Sequence, residues 1–158
     1  MKVINIHKRI VNGNAGELLK DLASDNDKIW PCERWPAMRF RDGLKVKSKG
    51  GHGPIRYTIT DYKPSEFIEF TFRKPTGFHG THSFKFLPIE GKTEVIHKID
   101  MSTSGSGTLL WIVAIRWLHD ALLEDSLDKI QKQYEKGVIE TQLSAYVRFL
   151  RWLLKKRK

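Results

Sequence analysis

Two consecutive hydrophobic patterns constrain the fold of this chain most strongly. From Gly53 to Met101 apolar and polar residues alternate every two positions, and from about Thr108 to Lys136 apolar residues recur at helical spacing. The first pattern is typical of strands with one buried face, and the second of a helix with an apolar stripe. A chain of 158 residues forms about one hydrophobic core. The two patterns therefore predict an α+β fold in which an antiparallel sheet closes on one long helix and encloses a cavity.

The alternating region contains two predicted hairpins whose apolar faces coincide. In the first, a turn at Lys63–Pro64 sets Tyr57 opposite Phe70. In the second, Phe84 lies opposite His97. Because a one-residue slip would turn every side chain to the other face, this agreement supports both registers. The predicted inward-facing residues are Ile55, Tyr57, Ile59, Ile68, Phe70, Phe72, His82, Phe84, Phe86, Val95, His97 and Ile99.

The flanking segments predict the remaining elements. Residues 2–11 form an opening strand, and two short helices follow at about residues 15–23 and 26–36, the second of which is a helical or looped corner because two Trp-Pro steps interrupt it. The long helix carries Trp111, Ile115 and Leu118 on its apolar stripe and ends at Gly137. These limits predict a ligand-binding domain at residues 1–137 and a separate C-terminal segment at residues 138–158.

The C-terminal segment is basic and amphipathic. Of the net charge of +10, residues 145–158 supply six positive charges and no negative one. Apolar residues recur there at helical spacing, which is typical of a helix that lies on an anionic membrane surface. The rival interpretations are a solvated end, packing on its own domain, a homodimer contact and an RNA-binding tail. No RNA-binding motif accompanies the charge, so nucleic acid has the least support. The predicted membrane contacts are Arg148, Arg151, Trp152, Lys155, Lys156, Arg157 and Lys158.

Neither a metal nor a cofactor is expected. Cys32 is the single cysteine, and His79 and His82 point to opposite faces of one strand. The glycine-rich residues 50–53 lack the Lys-Ser/Thr of a phosphate-binding loop and predict a turn at the cavity mouth. The charged N-terminus is unlike a signal peptide, so a cytoplasmic protein, with peripheral membrane contact through its tail, is expected.

Three local strings and the order of elements carry a family resemblance. The strings are GHGPIRY at 51–57, GTHSF at 80–84 and HDALLEDSLD at 119–128. With the predicted elements, they resemble an uncharacterised bacterial branch of the START-like (SRPBCC, polyketide cyclase and lipid-transport) superfamily over residues 2–136. The resemblance implies a helix-grip fold that holds an apolar ligand or lipid between sheet and helix. The ligand contacts are then the inward-facing residues together with Trp111, Ile115 and Leu118.

The polar side chains of the predicted cavity leave its activity open. Tyr57, His82 and His97 face inward, and His119 lies on the long helix near the cavity. One hypothesis is that these groups bond one another, water or a ligand without catalysis. The alternative is a cyclase or aromatase-like enzyme in which they donate or accept protons. A third hypothesis is a toxin-like or regulatory interaction module in which the cavity is collapsed and the C-terminal segment carries the function.

Overall fold

A seven-stranded antiparallel sheet forms the framework of the protein, seen in a computed structural model that describes residues 1–155. The strand order is β1-β7-β6-β5-β4-β3-β2. The α+β architecture, with a curved sheet and a long helix, confirms the expectation from the alternating and helical patterns. The strands are β1 (Lys2–Asn12), β2 (Arg39–Phe40), β3 (Lys49–His52), β4 (Ile55–Lys63), β5 (Phe67–Lys74), β6 (Phe78–Ile89) and β7 (Lys92–Thr103).

Both hairpins place their apolar faces as predicted, but one register differs. Phe84 pairs with His97, which confirms the second hairpin. In the first, Tyr57 pairs with Phe72 instead of Phe70, because the turn occupies residues 64–66 and the pairing shifts by one residue between Ile59 and Asp61. A shift of two residues keeps the same side chains on the same face, since the side-chain period of a strand is two. Ile59, Ile68 and Phe70 are accordingly fully buried.

The long helix runs over residues 106–131 and is built from three parts. These are α1 (Ser106–Leu110), a π-helical turn (Trp111–Ile115) and α2 (Arg116–Gln131). It ends five residues before the predicted Lys136. Only one of the two short helices expected after β1 is formed, a 3₁₀ helix at Ala15–Asp21. The segment at residues 26–36 is irregular instead, as the Trp-Pro steps require.

The polar face of α2 packs against β1. The helical spacing alone predicts that Asp120, Glu124 and Asp128 face solvent, but they meet the inward-facing polar side chains of β1. Arg9 Nη2 lies 2.9 Å from a Glu124 oxygen, and Arg9 Nη1 lies 3.1 Å from an Asp128 oxygen. Because the opposed charges neutralise one another, a strand with a polar inner row can lie beside the helix. The outward side of β1 exposes Ile4, Ile6 and Ile10.

The C-terminal segment folds back on the domain as α3 (Ala145–Lys155). Val147 and Leu150 are buried against the core. The Tyr146 hydroxyl donates a hydrogen bond of 2.6 Å to the Val113 carbonyl oxygen. No helix among the described residues combines the length and apolarity that crossing a bilayer requires. Three of the predicted membrane contacts, Lys156, Arg157 and Lys158, lie outside the described residues.

Candidate functional site: a cavity between sheet and long helix

A cavity of about 370 Å³ lies between the sheet, the long helix and the end of α3. Its wall is mostly aliphatic and aromatic, with a small set of histidines and arginines, which is the composition of pockets for small organic ligands. The lining residues are Trp30, Arg34, Trp35, Pro36, His52, Pro54, Ile55, Phe72, Phe78, His82, His97, Ile99, Trp111, Ile115, Leu118, His119, Leu122, Leu123, Arg151 and Leu154.

The predicted contact residues divide between this cavity and a filled core. Those that line the cavity are Ile55, Phe72, His82, His97, Ile99, Trp111, Ile115, Leu118 and His119. Those that do not are Tyr57, Ile59, Ile68, Phe70, Phe84, Phe86 and Val95. The second set is buried with Leu19, Ile29 and Met38, which come from the 3₁₀ helix and the irregular segment. Since these side chains fill the space over one end of the sheet, the empty volume remains at the other end.

Part of the cavity wall comes from irregular segments that the hydrophobic patterns do not identify. Trp30 and Trp35 were read only as helix-breaking Trp-Pro steps, yet both line the cavity. His52 was read as part of a turn, but it lies in β3 opposite Ile55. Its Nδ1 atom is 2.9 Å from the Tyr57 hydroxyl oxygen. One sequence signal could have identified this part of the wall. Two tryptophans lie close together in a segment without helical or strand periodicity, and such large apolar side chains are usually buried against the rest of the protein.

A row of aromatic polar rings runs from the sheet's edge strand into the cavity. The ring of His7 lies 6.0 Å from that of His119, which lies 5.0 Å from that of His97. His82 follows at 5.6 Å from His97, and Tyr57 at 4.8 Å from His82. Among the described residues of this row, His82 Nε2, His97 Nδ1 and both ring nitrogens of His119 are buried with no hydrogen-bond partner. Buried polar atoms need a partner, so these nitrogens mark where a ligand or water would bind.

Burial sets the charge state of the histidines that line the cavity and of Tyr57 beside them. It lowers the pKa of His82 and His97 well below the ordinary value and that of His52 to about 3. It also lowers the pKa of His119, although Asp120 opposes the change. The pKa of the Tyr57 hydroxyl is raised well above its usual range by the same burial. At neutral pH the cavity therefore presents uncharged imidazoles, and the Tyr57 phenol in the adjoining core is protonated.

His7, at the outer end of the row, has the opposite behaviour. Its Nδ1 lies 2.8 Å from a Glu124 oxygen and its Nε2 3.1 Å from an Asp120 oxygen. Burial would lower the pKa of His7, but these two carboxylates together raise it above its ordinary value. His7, His119 and Asp120 also offer ligand atoms within 4.8 Å of one another, a mixed nitrogen and oxygen set that a divalent metal accepts. A metal there would displace the His7 hydrogen bonds.

Arg151 joins α3 to the mouth of the cavity. Its guanidinium lies 4.5 Å above the ring of Trp35, and Nη2 donates a hydrogen bond of 2.6 Å to the Arg34 carbonyl oxygen. Buried Asp125 accepts hydrogen bonds from Trp35 Nε1 at 2.6 Å and from Arg34 Nη1 at 2.9 Å. The basic, amphipathic pattern of the C-terminal segment predicts a membrane contact for Arg151, but its head group turns toward the domain. The reason is that the cation stacks on an aromatic ring and satisfies a carbonyl.

A group of positively charged residues outside the C-terminal segment borders a more open basin on the protein surface. This basin has a volume of about 620 Å³ and shares His52 with the wall of the apolar cavity. Its charged lining residues are Arg39, Lys49, Arg56, Arg73 and Lys74. Arg39 is paired with Asp25, and Arg56 donates to the carbonyl oxygens of Gly53 and Ile55. Part of this positive charge therefore holds the neighbouring backbone in place.

Comparison with known proteins reveals likeness in structure but none in sequence. No family model matches the chain, and no curated protein matches it. A protein from Thermobifida fusca is similar with a TM-score of 0.64 and 12% identity, over 89% of this chain and 99% of the other. A conserved protein of unknown function from Enterococcus faecalis has a TM-score of 0.62 and 14% identity, over 99% and 85%. CalU16 from Micromonospora echinospora has a TM-score of 0.58 and 11% identity, over 99% and 94%. At these identities the comparisons show a shared α+β fold, in which a curved antiparallel sheet accompanies a long helix.

Proposed function

We propose that this protein has the helix-grip fold of the START-like superfamily and binds a small, largely apolar aromatic molecule in its cavity. The main observation that supports this proposal is the cavity, whose volume of about 370 Å³ suits one small organic ligand. Flat rings line it on several sides, and aromatic pairs gain contact energy beyond their buried area. The ring-bearing wall residues other than histidine are Trp30, Trp35, Phe72, Phe78 and Trp111.

The unpartnered histidine nitrogens specify the polarity of the ligand. His82 Nε2, His97 Nδ1 and the two ring nitrogens of His119 lie in a mostly apolar wall. A neutral imidazole has one nitrogen that donates and one that accepts, so it can meet a hydroxyl or a carbonyl group. A ligand that lacks such a group leaves the buried nitrogens unsatisfied, which costs binding free energy. The favoured ligand therefore carries a polar substituent on its ring system.

A cyclase-like enzyme is the second candidate, because the structure brings its proposed acid and base groups together. Tyr57, His82 and His97 form one continuous set of ring contacts. A general base works best when its pKa lies near the working pH. Burial instead lowers the pKa of both histidines well below the ordinary value. This environment favours ligand recognition over proton abstraction at neutral pH.

Narrowing the cavity tests the proposal. Ile115 lines the cavity, so Ile115→Trp fills part of the space. We expect 2-naphthol, measured by quenching of tryptophan fluorescence, to bind this variant at least about tenfold more weakly than the parent chain. Ile10→Trp adds the same ring on the exposed side of β1 and should leave the affinity unchanged. Equal affinities in the parent and Ile115→Trp proteins, with unchanged circular dichroism, would contradict a ligand site here.

Comparing 2-naphthol with naphthalene tests the role of the histidines. We expect the parent protein to bind 2-naphthol more tightly by about tenfold, since only naphthol can satisfy a buried imidazole nitrogen. In the His82→Phe/His97→Phe variant this preference should shrink, because only the His119 nitrogens remain to bond the hydroxyl group, while naphthalene binds as before or better. A preference of the same size in the double variant and the parent protein would exclude polar recognition by His82 and His97.

A further inference from the structure

An exposed apolar surface surrounds the end of the cavity where α3 crosses the long helix. Ten large apolar side chains from two helices form this two-helix patch, each 39–66% exposed. A soluble monomer rarely exposes so many adjacent apolar side chains without a partner for them. They are Leu109, Leu110, Ile112, Val113 and Trp117 from the long helix, and Tyr146, Phe149, Trp152, Leu153 and Leu154 from α3.

Contacts between the helices make the patch continuous. The Tyr146 hydroxyl donates to the Val113 carbonyl oxygen, and the Tyr146 and Trp117 rings meet edge to face at 5.8 Å. Along α3, the rings of Phe149 and Trp152 stack at 6.1 Å. Leu154 belongs to both the patch and the cavity wall. A partner covering the patch would thus also lie against the cavity.

The charged residues around the two-helix patch indicate which kind of partner it binds. Residues 101–119 and 141–158 contain no aspartate or glutamate, whereas residues 145–158 carry six positive charges. Arg116 and Arg148, both exposed, come from the two helices that form the patch. Apolar and aromatic side chains that lie among cations match the boundary of an anionic bilayer, where acyl chains meet negative head groups. Tryptophan and tyrosine, present on both helices, favour that boundary.

We infer that the two-helix patch docks on an anionic lipid bilayer and brings the cavity to the membrane surface. The docking surface extends beyond the amphipathic tail, because half of its apolar side chains belong to the long helix. It differs from the tail surface expected from sequence in one further respect. Arg151 is engaged with Trp35 and Arg34, whereas Arg148 on the same helix is exposed.

Vesicle sedimentation with the full chain tests this inference. Vesicles of phosphatidylcholine containing a quarter phosphatidylglycerol should bind the parent protein, and vesicles of phosphatidylcholine alone should bind it much less. Leu109→Ser/Ile112→Ser removes two side chains that are 66% and 51% exposed on the long helix. We expect it to reduce the partition coefficient by about tenfold, since that apolar area no longer enters the bilayer. Ile4→Ser/Ile10→Ser removes equally exposed side chains from β1 and should bind like the parent.

Each result supports or overturns the inference. Equal partition coefficients for the parent and the Leu109→Ser/Ile112→Ser protein would show that the long helix does not contact the bilayer. That result would overturn the inference that both helices form the docking surface. Equal binding to both kinds of vesicle would overturn the role of charge. Absence of vesicle binding, with a parent dimer that this variant converts to a monomer, would assign the patch to a second copy of the chain. Binding of 2-naphthol in solution is a separate readout, because Leu109 and Ile112 lie outside the cavity wall. Failure of ligand binding is therefore distinguishable from failure of docking.

Discussion

Lowering the pH from 7 to 5 is expected to reduce the free energy of unfolding by about 2 kcal/mol for each of three histidines. Burial keeps His52, His82 and His97 uncharged in the folded protein. The unfolded chain protonates the same side chains near their ordinary pKa of 6.5. A depressed pKa in the folded state therefore contributes stability above pH 6.5 that is lost as the pH falls. The sum is a large fraction of a typical domain's stability.

His7 offsets part of this loss, because its pKa is raised in the folded protein. Its stabilising contribution is complete below pH 6.5 and is lost as the pH rises through its folded-state pKa. His7→Gln should consequently make the decline from pH 7 to pH 5 steeper. The two histidine effects thus have opposite signs within one row of rings.

Urea unfolding at pH 5, 6, 7 and 8 measures the acid effect. His82→Phe/His97→Phe should flatten the decline between pH 7 and pH 5 by about 4 kcal/mol, since two titrating groups are removed. Phenylalanine suits the sites because His82 stacks on Phe70 and Phe72. Identical slopes for the parent and the double variant would show that these imidazoles are solvated or charged in the folded state.

Replacing Asp27 by alanine is expected to destabilise the protein by about 4 kcal/mol. Its buried carboxylate accepts backbone hydrogen bonds from Ala23 at 2.6 Å, Ile29 at 2.7 Å and Trp30 at 2.8 Å. Alanine leaves three donors without a partner in a segment that has no helix or strand to hold it. Because Trp30 lines the cavity, Asp27→Ala should also weaken 2-naphthol binding.

Asp27→Asn is the matched variant for this prediction. Asp27 Oδ1 accepts the Ile29 and Trp30 bonds, and Oδ2 accepts the Ala23 bond. An asparagine oxygen in the Oδ1 position keeps two of the three, so Asn should cost about a third as much as Ala. Urea unfolding of the three proteins gives this comparison. Equal stabilities for the parent and Asp27→Ala would show that water replaces the carboxylate and that the segment does not depend on it.

The period of the hydrophobic pattern determined the sheet and the inner face of its strands. Alternation alone predicted the pairing of Phe84 with His97 and the inward direction of His82. It did not determine the register of the first hairpin, since a shift of two residues leaves the pattern unchanged. The alternation also did not show which inward-facing residues belong to the filled core and which to the cavity wall. Periodicity gives the direction of a side chain but does not identify the residues that cover it.

Contacts between distant segments decided the rest of the molecule. Asp120 and Glu124 have the sequence pattern of a solvated helix face, yet they pair with His7, more than one hundred residues earlier in the chain. Arg151 has the pattern of a membrane-facing cation, yet it stacks on Trp35 across the cavity mouth. A helical period identifies the polar side of a helix but does not identify its partner. Only the tertiary structure brings these charges, the irregular tryptophan segment and α3 together around one cavity.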